Sequence, residues 1–135
     1  MKGVLADVNI RGHVDMLVVL MKAEPWNEFW DHLQMTYRHF DDVGLLRESP
    51  DSLIWQTCQK EELILITENR KKDGPDSLEA TIQACSTSTS LPGFTIANIP
   101  RMRSSQEYAN RGIEAFIDSL LRIDTLRGTG RLYLP

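Results

Sequence analysis

The chain has 135 residues, of which 41% are apolar, and these values are typical of one domain spanning residues 1–135 with its own core. The formal charge of -4 excludes a positive field over the whole protein, so RNA contacts would depend on local patches. Cys58 and Cys85 do not have the spacing of a zinc site or of a disulfide framework, which is typical of a protein of the reducing cytoplasm. We expect both side chains to be buried. The apolar runs are too short for a signal peptide or a membrane span, so we expect no membrane association.

The first half of the chain alternates between strand and helix patterns. Residues 4–6 predict a short apolar strand, and residues 14–21 repeat apolar side chains at helical spacing. A second helix is predicted from Pro25 onwards, with its aromatic side chains in the core. Residues 43–46 predict a strand, and residues 51–59 predict the helix that follows it.

The second half continues the alternation. The uninterrupted apolar residues 63–67 predict a central strand buried on both faces. A helix is predicted over residues 75–85 and a strand over residues 94–99. A capping box at residues 104–107 predicts the start of the last helix, and residues 130–134 predict an edge strand.

Strands that alternate with helices predict a mainly parallel central sheet covered by helices on both faces, which is a three-layer α/β/α fold. Ligands of such folds bind beyond the carboxyl ends of the strands. We therefore expect the functional residues at that edge of the sheet.

Four carboxylates fall where this edge is predicted. Asp7 follows the first strand and Glu68 follows the central strand, while Asp51 and Asp76 stand at predicted helix starts. Carboxylates that converge repel one another unless a cation neutralises them, and Mg2+ or Mn2+ prefers oxygen ligands. We therefore predict that these four acids bind the metal ion and act in catalysis, with Asn9 in the same loop.

Polar and basic residues near the same edge are candidates for substrate binding. They are Asn9, Asn69, Arg70, Lys71 and Arg101. Local positive charge is what contacts to RNA phosphates require. A solvated loop is the competing interpretation of the basic residues.

Three segments, residues 5–9, 49–54 and 63–69, resemble the PIN-like nucleases, in particular small bacterial proteins with an Asp-x-Asn loop after the first strand. The order of elements is similar over roughly residues 1–100. The resemblance implies a metal-dependent ribonuclease, often the toxin of a toxin-antitoxin pair, with Asp7, Asp51 and Glu68 as metal ligands. An antitoxin protein and a second copy of the chain are the expected protein partners.

The sequence departs from the family at Glu68, where an Asp is usual. Asp73 or Asp76 would then serve as the later acid of the site, and Asp76 is favoured because it stands at a predicted helix start and Asp73 in a loop beside Gly74. The departure leaves open a catalytically inactive PIN-like module that acts through interaction or regulation. A receiver-like phosphoacceptor domain ranks last, because the required Lys is absent after Ile99.

Overall fold

The computed structural model describes residues 1–69, 74 and 77–135, and five strands in these residues form one parallel sheet. The strands are β1 (Gly3–Ala6), β2 (Thr36–Arg38), β3 (Leu63–Thr67), β4 (Gly93–Ile96) and β5 (Arg131–Leu134). Their order across the sheet is β2-β1-β3-β4-β5. The prediction of β3 as the central strand and of an edge strand near the end of the chain is confirmed.

Helices connect these strands. They are α1 (Arg11–Met21), α2 (Asn27–Leu33), α3 (Asp51–Glu61), α4 (Leu78–Cys85), α5 (Ile99–Ser104), α6 (Gln106–Leu121) and α7 (Ile123–Leu126). Short 3-10 helices cover Val8–Ile10 and Phe40–Val43. Among the described residues, no helix combines the length and apolar character that crossing a bilayer requires.

Alternating side chains of the sheet build two apolar cores, one on each face. Val4 and Ile66 belong to the core beneath α1, α2, α5 and α6. Leu5 and Leu65 belong to the core beneath α3 and α4. Helices therefore cover both faces, and the predicted three-layer α/β/α architecture is confirmed. Asp7 lies two positions after Leu5, so strand alternation carries its side chain toward the α3 and α4 face.

The strand predicted over residues 43–46 is wrong. The chain leaves the 3-10 helix there through Gly44, which has a φ of 75°. The strand between β1 and β3 in the chain is β2. Its three side chains are exposed or half-buried, so its sequence has no apolar run that would predict a strand. A Cβ atom at Gly3 would overlap Thr36, and the missing side chain lets β1 and β2 approach.

Several element boundaries differ from their predictions. The helices predicted from Pro25 and from residue 75 begin at Asn27 and Leu78. The strand predicted to reach residue 99 ends at Ile96, because Asn98 caps α5 by accepting a hydrogen bond from the Arg101 N–H. The capping box predicted at residues 104–107 is wrong. Ser105 caps α6 and accepts from the Tyr108 N–H at 3.2 Å.

Burial corrects two expectations about side chains. Of the aromatic residues in α2, Trp30 is buried while Phe29 is 40% exposed. The short helix turns only one narrow face toward the core. Cys58 is buried as predicted, but Cys85 at the end of α4 is exposed. Both cysteines are free thiols.

Candidate functional site

The candidate site lies where the strand order reverses. From β1 the chain moves outward to β2, and it then returns across the sheet to β3 on the other side of β1. The carboxyl ends of β1 and β3 therefore lie side by side, with the adjacent connections leaving on opposite faces. A crevice beyond such strand ends is the usual ligand position in parallel α/β sheets. Asp7 continues the pairing of these strands, because its N–H donates to the Ile66 carbonyl at 2.9 Å.

Asp7 is held by local and by remote contacts. Its Oδ1 accepts from the backbone N–H of Asn9 at 3.1 Å, which caps the 3-10 helix Val8–Ile10. Its Oδ2 accepts from the Thr67 hydroxyl at 2.6 Å. Only 8% of the residue is exposed. The Asp-x-Asn pattern thus has a capping role, and the exposed Asn9 contributes its backbone N–H.

Thr67 connects Asp7 to the loop after β3. Its hydroxyl donates to Asp7 and accepts from the Asn69 N–H at 2.9 Å. A hydroxyl has one donor and two acceptor positions, so both contacts are satisfied together. The Asn69 side-chain amide donates to Asp51 Oδ2 at 3.0 Å. Asp7 and Asp51 are therefore joined by a chain of three hydrogen bonds, which we call the switch-point network: Asp7, Thr67, Asn69 and Asp51.

Asp51 enters this network from α3, where it is the first helical residue. A carboxylate in that position also interacts favourably with the helix dipole, by roughly 0.3–1 kcal/mol. The helix runs back to the start of β3, so its own start lies at the carboxyl edge. The predicted location of Asp51 is therefore correct although the strand proposed before it is not.

Glu68 follows β3 as predicted, but its side chain is exposed. Within residues 1–69, 74 and 77–135, no three His, Cys, Asp or Glu side chains form a group able to hold a metal ion. Of the four predicted acids, the structure thus joins Asp7 and Asp51 and leaves Glu68 outside the network. Asp76 lies outside the described residues, and α4 begins at Leu78 with Ser77 as its cap.

The predicted substrate-binding residues have different outcomes. Arg70 and Lys71 lie outside the described residues. Asn69 uses its amide to hold Asp51. Arg101 is exposed on α5, and its guanidinium carbon lies 4.4 Å from the centre of the Tyr108 ring. Since α5 follows β4 directly, Arg101 lies toward the same carboxyl edge of the sheet as the switch-point network, although α5 packs on the other face.

Two polar residues of this region were not predicted, Thr67 and Arg131. Thr67 is 1% exposed and was regarded only as the end of an apolar strand. A hydroxyl at the last position of a buried strand was the available signal. Arg131 was regarded as part of an edge strand, yet its side chain is only 6% exposed and it donates to the Asn69 carbonyl.

A second polar network lies at the outer strand β2. Asp15 Oδ1 accepts from the Tyr37 hydroxyl at 2.6 Å and pairs with His39 Nε2 at 2.8 Å. Partial burial raises the pKa of Asp15, but hydrogen bonds from Tyr37 and His39 outweigh it and hold that pKa below its usual value. Burial and the bond to Asp15 raise the pKa of Tyr37, which stays protonated.

His13 is the buried ionisable residue of α1, with 2% of its surface exposed. Its Nε2 lies 3.1 Å from the sulfur of Met102, and its Nδ1 has no hydrogen-bond partner among the described residues. Burial lowers the pKa of His13, and the nearby positive charge of Arg103 lowers it further. The ring is therefore a neutral core group that faces α5 and not the switch-point network.

Comparison with known proteins gave no match: no family model, no curated protein and no solved structure is significantly similar to this chain.

Proposed function

We propose that this protein is a metal-dependent ribonuclease of the PIN-like type, in which Asp7 and Asp51 hold a Mg2+ or Mn2+ ion. The observation that supports the proposal is the chain of three hydrogen bonds that joins these two carboxylates at the switch point. The donor set fits the ion, because Mg2+ binds proteins through one or two carboxylates and keeps several waters.

The roles of the residues follow from their contacts. Asp7 and Asp51 each use one oxygen in the network, and every carboxylate oxygen keeps further lone-pair capacity for a cation. Thr67 and Asn69 orient the two carboxylates, as partners of metal ligands commonly do. A bound Mg2+ or Mn2+ ion would supply a water of lowered pKa and stabilise the charge that develops on the phosphate.

The remaining predicted residues complete the proposal. Glu68 is exposed next to the network and is proposed as a third acid, and Asp76 as a fourth. Arg101 is proposed to contact RNA phosphates together with Arg70 and Lys71. Toxin activity, an antitoxin partner, a homodimer and a cytoplasmic location belong to the same proposal.

Cleavage of RNA tests the proposal. We expect the purified protein to degrade single-stranded RNA with Mg2+ or Mn2+ and to be inactive with excess chelator. Asp7→Asn and Asp51→Asn are expected to lose about 100-fold or more of the rate, since changes to the outer shell alone cost about 10- to 100-fold.

The matched control is Asp118→Asn, which removes an exposed acid paired with Arg122 on α6. It is expected to cleave like the unchanged protein. Equal cleavage by all four proteins would contradict the assignment of the site, and RNA left intact with either metal would contradict the ribonuclease.

The second candidate is a catalytically inactive PIN-like module that acts through interaction or regulation. Its support is that the side-chain amide of Asn69 donates a hydrogen bond to Asp51, so the network also holds Asn69 against the start of α3. Calorimetry separates the two candidates. The inactive module predicts no heat of binding for Mn2+, whereas the ribonuclease predicts binding that Asp7→Asn abolishes.

A further inference from the structure

Arg131 is an arginine at the start of an edge strand, yet its side chain is almost entirely buried. It opens β5, and only 6% of the side chain is exposed. Leu132 and Leu134, the alternate residues, pack toward the α6 core. Strand alternation therefore carries Arg131 to the opposite face, beneath α4. Arginine is rarely buried without a partner, so its contacts need a structural explanation.

The guanidinium of Arg131 lies between three elements. Its Nη1 donates to the carbonyl of Asn69 and lies 3.4 Å from the Thr95 hydroxyl on β4. Its Nε is 3.3 Å from Glu79 Oε2 in the first turn of α4. A buried charge requires such a counter-charge and hydrogen bonds, because its desolvation is costly. Glu79 supplies the charge and Asn69 the principal acceptor.

Asn69 is thereby held at its backbone N–H, its side-chain nitrogen and its backbone carbonyl. Its N–H donates to Thr67, its side-chain amide donates to Asp51, and its carbonyl accepts from Arg131. The pairing of β3 with β4 ends at Thr67 and Thr95, so Asn69 lies beyond the last ladder pair. The charged contact from Arg131 therefore acts on the chain beyond the end of the β3–β4 pairing.

We infer that Arg131 is a positioning residue that sets the place of Asn69 and, through it, the orientation of Asp51 and Asp7 for metal binding. The inference rests on the proposed function. Arg131 acts through a backbone carbonyl and does not itself touch the metal or the substrate.

A lysine cannot reproduce this arrangement. The planar guanidinium presents donors in two directions, toward the Asn69 carbonyl and toward Glu79, whereas an ammonium is a single point charge. The side chain also leaves Nε and Nη2 without a geometrically good hydrogen bond among the described residues, although Nε stays within ion-pair distance of Glu79. The arginine at position 131 therefore has two donors that the described residues do not fully satisfy.

The test compares Arg131→Lys and Arg131→Gln with Arg127→Lys. Arg127 is a matched control, because it also links a remote carbonyl, that of Thr89 at 2.8 Å, to an acid, Asp124 at 3.0 Å. It has no contact with the switch-point network. Calorimetry with Mn2+ measures metal affinity, and amide hydrogen exchange without metal measures how firmly Asn69 is held.

We expect Arg131→Lys to lower Mn2+ affinity about 10- to 100-fold, the usual effect of losing an outer-shell partner, and Arg131→Gln to lower it further. Both variants are expected to speed exchange of the Asn69 amide at least about tenfold, as they free its carbonyl. Arg127→Lys should change neither quantity. If Arg131→Gln does not fold, Arg131→Lys carries the comparison, because its charge is retained beside Glu79.

Unchanged Mn2+ affinity and unchanged Asn69 exchange in Arg131→Lys would overturn the inference. A merely structural role would lower the unfolding temperature of the Arg131 variants while leaving Mn2+ affinity as it is, and this too would overturn it. If the unchanged protein binds no Mn2+, the proposed function fails. Faster Asn69 exchange in the variants would in that case still support the positioning of Asn69.

Discussion

Asp7, just after the first strand, and Asp15, in the first helix, each accept two hydrogen bonds, but the networks around them differ. Asp7 is 8% exposed, and each of its oxygens has one partner. The side chain of Asp15 is 45% exposed, and both of its partners, Tyr37 and His39, meet at Oδ1. Hydrogen bonding alone therefore does not distinguish a candidate site from a structural contact.

The difference lies in where each network leads. Asp15 ties α1 to the outer strand β2 and to His39 just after it, and within the described residues its side-chain hydrogen bonds are those with Tyr37 and His39. Asp7 leads through Thr67 and Asn69 to a second carboxylate, Asp51, on another helix. In the proposed function the two linked acids bind a divalent cation, whereas Asp15, with an imidazole and a phenol, ties the edge strand β2 to α1.

Asp7→Asn is expected to have the largest effect, and its comparison with Asp15→Asn distinguishes the two networks. We expect Mn2+ affinity, measured by calorimetry, to fall by about 100-fold or more, because a neutral amide would replace one of the two charged ligands that we propose. Asp15→Asn should leave the affinity within about twofold, since its network does not reach the switch point. Equal losses in both variants would remove the distinction between the two aspartates.

Thr67→Val probes the connection within the switch-point network. The substitution keeps the shape of the side chain but leaves Asp7 Oδ2 and the Asn69 N–H without their shared partner. We expect the free energy of unfolding, from urea titration, to fall by about 1–3 kcal/mol.

Thr95→Val is the matched control for this change. Thr95 is equally buried and pairs with Thr67 in the sheet, but among the described residues its hydroxyl receives only the long 3.4 Å contact from Arg131. Thr95→Val should lower the free energy of unfolding by less than Thr67→Val does. An equal or larger cost at Thr95 would indicate that the Thr67 hydroxyl stabilises the fold no more than an ordinary buried threonine.

The buried His13 of α1 provides a test of how the free energy of unfolding depends on pH. Its folded-state pKa is below the ordinary value of 6.5, so the unfolded chain binds more protons as the pH falls through that value. We therefore expect the free energy of unfolding to fall as the pH is lowered below about 6.5, and His13→Gln to weaken this dependence. His32 is exposed, and His32→Gln should leave the pH dependence of the free energy of unfolding unchanged. Urea titrations at a series of pH values measure this dependence for both variants.

Tyr37→Phe is expected to have the smallest effect, at the Asp15 network. Because the pKa of Asp15 is lowered in the folded state, its ionised form stabilises the fold. This stabilisation is fully present above the ordinary pKa of 3.8 and is lost as the pH falls through the lowered value. Without the hydroxyl, the pKa of Asp15 should rise toward 3.8, as carboxyl NMR titration would measure. At neutral pH the cost in unfolding free energy should not exceed about 1 kcal/mol.

Tyr133→Phe is the control, because Tyr133 is 52% exposed and no hydrogen bond of its hydroxyl occurs within the described residues. It should leave the titration of Asp15 unchanged. A Tyr37→Phe variant with the same Asp15 titration as the unchanged protein would mean that His39 alone sets this pKa.

Much of the fold was predictable because local patterns reflect burial. The apolar run of β3 and the helical spacing in α1 and α6 each record one continuous contact with the core. The strand β2 could not be found in this way, since it is three residues long at the sheet edge and has no buried residue. Its place depends on pairing with β1, where Gly3 allows a close approach.

The candidate site was predictable only in part. Asp7 and Asp51 were identified because acids after strands and at helix starts fall on the carboxyl edge of a parallel sheet. The four-acid metal cluster remains a prediction, since Glu68 is exposed and Asp76 lies outside the described residues. Thr67 was missed because its function depends on the neighbour across the sheet and not on its own sequence context.

The sequence by itself determined the parallel α/β class and the placement of Asp7 at a strand end, since both follow from short-range periodicity. Only the tertiary structure decided which remote groups meet. Thr67 bonds to Asp7 over 60 residues and Arg131 bonds to Asn69 over 62 residues. Side-chain spacing carries information over one helical turn or one strand repeat, whereas such contacts depend on strand order and register.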